Sequence, residues 1–276
     1  IKKLRRLRAG GASWNCKSNF DRTYIQCFSG SNIEYLNLSF SGLTSGGGLF
    51  AVAVSDNDAL ADLAMLPTLS KLRLDRTFKL SEKGAAHLTE HPSLTSICGF
   101  SPETRDTMAI LAKGKLTEIE FDGPYDNRSA MKEIMLEVGK FTGLTYLHVN
   151  DGTVGDEDLE SLDKMVDLQH LGLVGYNDIS DDGIAYLKGL RRVTVLCLGR
   201  TKAFGDEGLK HLLHLPLLKL DLRQTAITTA GVQLIAENFR SLTDLNLRHV
   251  RGVTAEAQKS LTTLRHLRHI NVLGTG

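Results

Sequence analysis

The chain has 276 residues, with 33 lysines and arginines against 32 aspartates and glutamates, a formal net charge of +1. This balance gives no electrostatic reason to expect autonomous nucleic-acid binding or adsorption to an anionic membrane. Hydrophobic residues make up 42% of the chain, which excludes long-range disorder. The longest apolar run, residues 49–54, is far shorter than the ~20 residues that a membrane-spanning helix needs.

Residues 1–32 precede the regular part of the sequence, and we expect them to form an N-terminal cap. The first eight residues are basic, which fits a remnant of a targeting segment or a divergent first repeat. Aromatic residues concentrate between residues 9 and 30, where they would cover an open end of the core or dock a partner. No two cysteines are closely spaced, which favours a reducing, intracellular compartment, either cytoplasmic or organellar: Cys16, Cys27, Cys98 and Cys197.

From residue 33 onward one pattern recurs, apolar-x-x-apolar-x-apolar, as in Leu168/Leu171/Leu173 and Leu242/Leu245/Leu247. Leucine is accordingly frequent, with 45 copies in the chain. The pattern starts at residues 33, 69, 94, 116, 144, 168, 193, 217, 242 and 267, and from residue 144 the interval is 24 or 25 residues. Alternation within the pattern predicts a short β-strand in each copy.

Each interval also contains a segment with helical spacing, for example Leu209, Leu212 and Leu213 on one face. Ser, Thr or Gly followed by acidic residues, as in residues 180–183 and 205–208, predicts capped helix starts. The unit is therefore a strand, a turn, a capped helix and a return loop. One unit cannot bury its leucine rows alone, so we expect the copies to stack side by side.

This pattern resembles the leucine-rich-repeat proteins over residues 33–276, which we treat as one continuous domain. The period and the absence of disulfide caps are similar to the intracellular ribonuclease-inhibitor-like and cysteine-containing (F-box type) branches. The resemblance implies an α/β solenoid, a right-handed horseshoe or arc with parallel strands on the concave face and helices on the convex face. At the ninth repeat position, usually Asn or Cys in the family, a hydroxyl side chain often stands here: Ser41, Thr77, Thr201, Thr225 and Thr275.

Two intervals are longer than the rest. The first contains the run Gly46–Gly48, which lacks the lysine of a phosphate-binding loop and predicts only a longer loop or helix. Another contains the turn-rich residues 122–128, which fit either a partner-contacting protrusion or simple drift in repeat length.

Side chains between the leucines should point away from the core, toward the concave face. There the charges form an early basic band (Lys71, Arg73 and Arg76), a middle acidic band and a late, largely basic band. Such banding suits a surface that complements one partner, although any sheet facing water needs polar residues. Tyr35, Phe100 and Tyr146 are candidate apolar anchors. The full candidate set is Tyr35, Lys71, Arg73, Phe100, Glu118, Glu120, Asp122, Tyr146, His148, His170, Lys219, Arg223, Arg248 and His269.

Glu118, Glu120, His148 and His170 are the residue types that bind metals or transfer protons. An open, wet sheet does not enclose them, so we expect neither catalysis nor a metal or other cofactor. We therefore predict a non-catalytic protein-interaction module, a structural subunit or scaffold of an intracellular assembly of proteins or ribonucleoprotein. The alternatives are an adaptor or substrate receptor of a ubiquitin ligase, which the F-box-type resemblance implies, and an inhibitor or regulator of a catalytic partner.

Overall fold

The computed structural model of the chain describes residues 5–8, 28–38, 57–74, 76, 78–175 and 177–275. Most of the expected N-terminal cap, the run Gly46–Gly48 and the hydroxyl residues Ser41 and Thr77 lie outside these residues. The chain forms two compact units, Ile1–Asp122 (unit 1) and Gly123–Gly276 (unit 2). Each unit combines a parallel sheet with a layer of short helices.

Unit 1 follows the predicted alternation of strands and helices. Its strands pair in parallel in the order β1-β2-β3-β5-β6, with β4 beside β5. The strands are β1 (Arg6–Arg8), β2 (Tyr35–Asn37), β3 (Lys71–Arg73), β4 (Lys79–Leu80), β5 (Ser96–Pro102) and β6 (Glu118–Asp122). The helices are a 3₁₀ helix at Asn57–Met65, α1 (Glu82–Thr89) and α2 (Arg105–Leu111).

Unit 2 is more regular, and its strands pair in parallel in chain order. They are β7 (Tyr146–Gly152), β8 (His170–Gly175), β9 (Val195–Cys197), β10 (Lys219–Asp221), β11 (Asp244–Asn246) and β12 (His269–Asn271). The α-helices are α3 (Arg128–Val138), α4 (Asp156–Leu159), α5 (Asp181–Ile184), α6 (Asp206–His211), α7 (Thr229–Asn238) and α8 (Ala255–Ser260). Short 3₁₀ helices lie at Glu160–Leu162, Ala185–Gly189 and Leu261–Thr263.

The leucine rows of the repeat form the core of each unit. In unit 2 the middle leucines of neighbouring strands are in register and at most 2% exposed: Leu147, Leu171, Leu196, Leu220 and Leu245. Full burial of one such side chain contributes about 1.5–3 kcal/mol. Each strand therefore needs its neighbour, which confirms the predicted stacking of repeats within the unit.

Side chains after the strands tie the turns to the sheet, in part as the ninth repeat position predicts. The hydroxyl of Thr225 donates to the Leu222 carbonyl at 2.7 Å, and Thr275 donates to Val272 in the same way. Thr201 is fully buried, but its hydroxyl has no hydrogen-bond partner among the described residues. One residue that the repeat pattern did not single out, Asn177, bonds the backbone of two successive repeats, to Leu173 and Val154.

The helix starts of unit 2 are linked by carboxylates. Asp156 Oδ1 accepts the backbone N–H of Ser180, the residue that precedes the next helix, and Asp156 Oδ2 accepts the Ser180 hydroxyl, both at 2.7 Å. The same backbone bond joins later repeats, Asp181 to Gly205 and Asp206 to Thr228. The acidic residues expected to favour their own helix ends therefore also connect each repeat to the next.

Candidate functional site

Most of the candidate residues lie on the open face, defined here as the strand side chains that point away from the helices. In unit 1 this face contains Tyr35, which is half-buried in β2, and the predicted basic and acidic bands of β3 and β6. In unit 2 it contains Tyr146, His148 and His170 on β7 and β8, followed by the charged residues of β10 to β12.

The charged bands of unit 1 pair with each other. Lys71 and Glu118 are 2.8 Å apart, and Arg73 and Glu120 are 2.7 Å apart. The third pair, Arg76 and Asp122, is 2.9 Å apart and bonded through two guanidinium nitrogens. The first two pairs join β3 to β6 across the intervening strand β5, and Arg76 reaches β6 from the turn that follows β3.

Short side chains on β5 permit this crossing. Ser96 lies in register between Lys71 and Glu118, and Cys98 lies in register between Arg73 and Glu120. Partly exposed ion pairs of this kind contribute about 0.2–1 kcal/mol each. The interpretation of this banding as a surface that complements one partner therefore needs correction in unit 1, because the early basic band and the middle acidic band already neutralise each other.

Phe100 is not on the open face, contrary to the sequence prediction. Its side chain is fully buried, and its ring centroid lies 6.1 Å from that of Phe121. The cause is Gly99, which adopts a φ of +72° and shifts the register of β5 against β6. An added Cβ at Gly99 would lie 2.6 Å from the Leu74 carbonyl oxygen. The extra residue turns Phe100 into the core.

In unit 2, three aromatic side chains form a cluster on the open face. The rings of Tyr146 and His170 are stacked, with centroids 4.1 Å apart. His148 Nδ1 lies 3.1 Å from His170 Nε2, within hydrogen-bonding distance. Gly172, in register with His148 on β8, leaves room for this arrangement, because a Cβ there would overlap the His148 ring.

The environment of this cluster makes His170 a weak base. Burial, and then the positive charge of protonated His148, lower the pKa of His170 from its ordinary value to about 4. At neutral pH His170 is therefore uncharged, and the short distance between the two rings fits a hydrogen bond between them. Among the residues that the structure describes, no group of three or more His, Cys, Asp or Glu side chains is arranged to hold a metal ion.

The thiols of the two described cysteines are also unreactive. Burial raises the pKa of Cys98, and burial raises the pKa of Cys197 to about 11. Both are free thiols on strand positions of the open face, half-buried between their neighbours. Because the thiolate is the nucleophile, neither cysteine is activated for covalent chemistry at neutral pH.

The late band of unit 2 is partly neutralised. Asp244 lies 3.0 Å from His269 and 3.8 Å from Lys219, and Arg223 is paired with Asp221 at 3.1 Å. A hydrogen bond from Thr243, helped by these two neighbours, lowers the pKa of Asp244. Arg248 is exposed and contacts the His249 ring at 3.2 Å.

The loop at residues 122–128 contributes to both helix capping and the surface. Asn127 caps α3 by accepting the N–H of Ala130 at 2.9 Å, and Tyr125 is 69% exposed. Helix capping therefore explains the role of the C-terminal end of this loop. The exposed tyrosine keeps the partner-contact interpretation open as a prediction.

Comparison with solved structures identifies the fold. The chain is similar to an internalin, a leucine-rich-repeat protein of Listeria monocytogenes, with a TM-score of 0.52 and 17% identity over 98% of this chain and 87% of the internalin. The chain has the leucine-rich-repeat fold. At this level of identity the similarity concerns the fold alone.

Sequence comparisons add one relative of this leucine-rich-repeat chain. The chain is 30% identical over 166 residues to a Tetrahymena thermophila protein that is named as a histone, a match that covers 59% of this chain. The chain spans only 40% of the length of that relative. No family model matches the chain.

Among the described helices, none has the length and apolar character needed to cross a membrane.

Proposed function

We propose that this leucine-rich-repeat chain is a non-catalytic protein-interaction module that binds its partner on the open face of unit 2. The observation that carries the proposal is the stacked cluster of Tyr146, His148 and His170. Tyrosine supplies a large, rigid contact area and is enriched among the residues that dominate binding energy. In this fold, the sheet side chains are also the ones that neighbouring helices leave uncovered.

Unit 1 is the weaker candidate, because its charges already satisfy one another. A partner that docks there must compete with three internal ion pairs, Lys71–Glu118, Arg73–Glu120 and Arg76–Asp122. In unit 2 the aromatic cluster is followed by a charged region, which can orient a partner while the tyrosine anchors it. We therefore assign Lys219, Arg223, Arg248 and His269 to orientation.

The chemistry of the open face supports a binding role over a catalytic one. His170 is neutral at physiological pH, and the two thiols have raised pKa values. A general base or nucleophile needs a pKa near the operating pH and a positioned partner. We propose that the module needs no cofactor.

We further propose that the chain is a structural subunit of an intracellular assembly. The name of the Tetrahymena thermophila relative, a histone, favours chromatin as the setting. Two other roles compete with this assignment. The F-box-type branch implies an adaptor of a ubiquitin ligase, and the ribonuclease-inhibitor-like branch implies an inhibitor of a catalytic partner. Stoichiometry separates them: a subunit co-purifies in constant ratio with the same neighbours, whereas an adaptor co-purifies with many substoichiometric clients.

A matched pair of tyrosine substitutions tests the binding face. Tyr146 lies on the open face, and Tyr186 lies in the helical layer of the same unit, 41% exposed. With the tagged protein isolated in its native complexes, Tyr146→Ala should weaken partner retention at least about tenfold, in the range of a hot-spot residue, and Tyr186→Ala should leave it unchanged. Loss of the partner with Tyr186→Ala alone would place the interface on the helical side.

A further inference from the structure

A groove of about 760 Å³ opens in unit 2, at the edge where the strands end and the helices begin. Its walls are the loops after β9, β10 and β11, together with Gly274 after β12. The lining residues are Lys202, Gln224, Thr225, Ala226, Ile227, Thr228, His249, Arg251, Gly252 and Gly274. These loop positions lie outside the strand positions from which the candidate residues were predicted.

The repeat places two cations on opposite sides of this groove. Lys202 and Arg251 each stand nine residues after the first apolar residue of their repeats, and Ala226 occupies the same position in the repeat between them. Because β9, β10 and β11 are consecutive strands, the two cationic positions are two strand spacings apart, about 10 Å. The small Ala226 side chain keeps the space between them open.

The groove lies in a basic part of the sequence, although the chain as a whole is close to neutral. Residues 191–276 contain 13 lysines and arginines and 6 aspartates and glutamates, a net charge of +7. Residues 1–190 contain 20 and 26, a net charge of −6. The whole-chain charge of +1 therefore hides a basic C-terminal part, and it does not bear on what this part binds.

Two nearby carboxylates already have hydrogen-bond or ion-pair partners. Asp206 accepts the N–H and the hydroxyl of Thr228, and Asp221 pairs with Arg223. In contrast, Lys202 and Arg251 are exposed and have no carboxylate within ion-pair distance among the residues that the structure describes. Unlike Lys71, Arg73 and Arg76 of unit 1, these two cations are available to an anionic ligand.

We propose that this groove binds the phosphate backbone of duplex DNA. The affinity must come from charge, because Ala226 and Ile227 supply the only aliphatic side chains among the lining residues that the structure describes, and Ile227 is 1% exposed. Among its described lining residues there is no Phe, Tyr or Trp, so the platforms that stack single-stranded bases are missing. A protein ligand would lack an apolar anchor here. The proposal is independent of partner binding on the open face.

The test is fluorescence anisotropy with a labelled duplex of about 20 base pairs, at about 50 mM and about 200 mM NaCl. The groove variant is Lys202→Gln/Arg251→Gln. The matched control, Lys113→Gln/Lys115→Gln, removes two exposed lysines from unit 1. Each lost phosphate contact lowers the slope of log affinity against log salt by ~0.9, so the groove variant should reduce the fourfold-salt effect about 12-fold.

The proposal predicts wild-type binding at low salt, a weakened groove variant, and full binding by the control and by the charge-conserving variant Lys202→Arg/Arg251→Lys. Circular dichroism of each variant verifies the fold. Absence of DNA binding at low salt, or equal losses in groove and control variants, would overturn the proposal. Displacement of the DNA by polyglutamate at equal charge would also overturn it, in favour of an acidic protein segment. Tyr146→Ala should leave DNA binding unchanged.

Discussion

The link between Asp156 and Gly183 tests whether successive repeats of unit 2 are coupled through their helix starts. Asp156 holds both the N–H and the hydroxyl of Ser180. Gly183, in the third position of the same helix as Asp181, is buried, and an added Cβ would overlap Asp156 Oδ1. We therefore expect Asp156→Ala and Gly183→Ala to remove the same two hydrogen bonds by different routes.

The magnitudes follow from these contacts. A hydrogen bond to a charged group contributes about 1.5–3 kcal/mol, and because Asp156 is half-exposed we expect about 2 kcal/mol for both bonds together. Gly183→Ala loses the same two hydrogen bonds, but alanine stabilises a helix by about 1 kcal/mol relative to glycine. The free energy of unfolding should therefore fall by only about 1 kcal/mol in this variant. The double variant should lose about 1 to 2 kcal/mol, less than the additive value of about 3 kcal/mol.

Urea unfolding followed by circular dichroism measures these free energies. The expected result is a coupling energy of at least about 1 kcal/mol between the two sites. Gly143→Ala is the control, because an added Cβ there meets no atom within 4 Å, and it should change stability by less than about 0.5 kcal/mol. Additive losses would refute the shared hydrogen bonds as the cause.

Two further predictions concern the candidate residues. His170 has a pKa of about 4 when folded and about 6.5 when unfolded, so acid stabilises the unfolded chain and folded stability falls as the pH drops through that window. Between neutral pH and pH 5 we expect the free energy of unfolding of the wild type to fall by about 1 kcal/mol more than that of His170→Asn. This figure is half of the value that the full pKa difference gives, because the ring is partly exposed to solvent. Parallel pH profiles of stability for the two proteins would contradict the prediction. Phe100→Ala should lower the free energy of unfolding in urea by about 3–5 kcal/mol, because it removes a buried ring. The control Tyr125→Ala, at an exposed position, should lower it by less than about 0.5 kcal/mol. Similar losses in the two variants would contradict the burial of Phe100.

The repeat architecture was predictable because it depends on local, periodic information. The spacing of Leu168, Leu171 and Leu173 defines a strand with one buried row, and a 24- or 25-residue period leaves few ways to bury successive rows. The hydroxyl at the ninth repeat position made the expected bond in Thr225 and Thr275. Each of these features requires only that one repeat resemble the next.

The candidate site was less predictable because it depends on contacts between different repeats. A single glycine, Gly99, changed the register of β5 and moved Phe100 from the expected open face into the core. The pairing of Arg73 with Glu120 depends on the short Cys98 side chain on the strand between them. Reading each strand separately gives the charge of its side chains, but not whether a neighbouring strand already neutralises them.

We propose above all that the open face of unit 2 contacts the partner. Hydroxyl-radical footprinting of the native complex and of the isolated chain measures it directly, since tyrosine and histidine side chains are oxidised where solvent reaches them. We expect the partner to protect Tyr146 and His170 and to leave the oxidation of Tyr186 unchanged. Protection of Tyr186 without any change at Tyr146 and His170 would contradict the proposed interface.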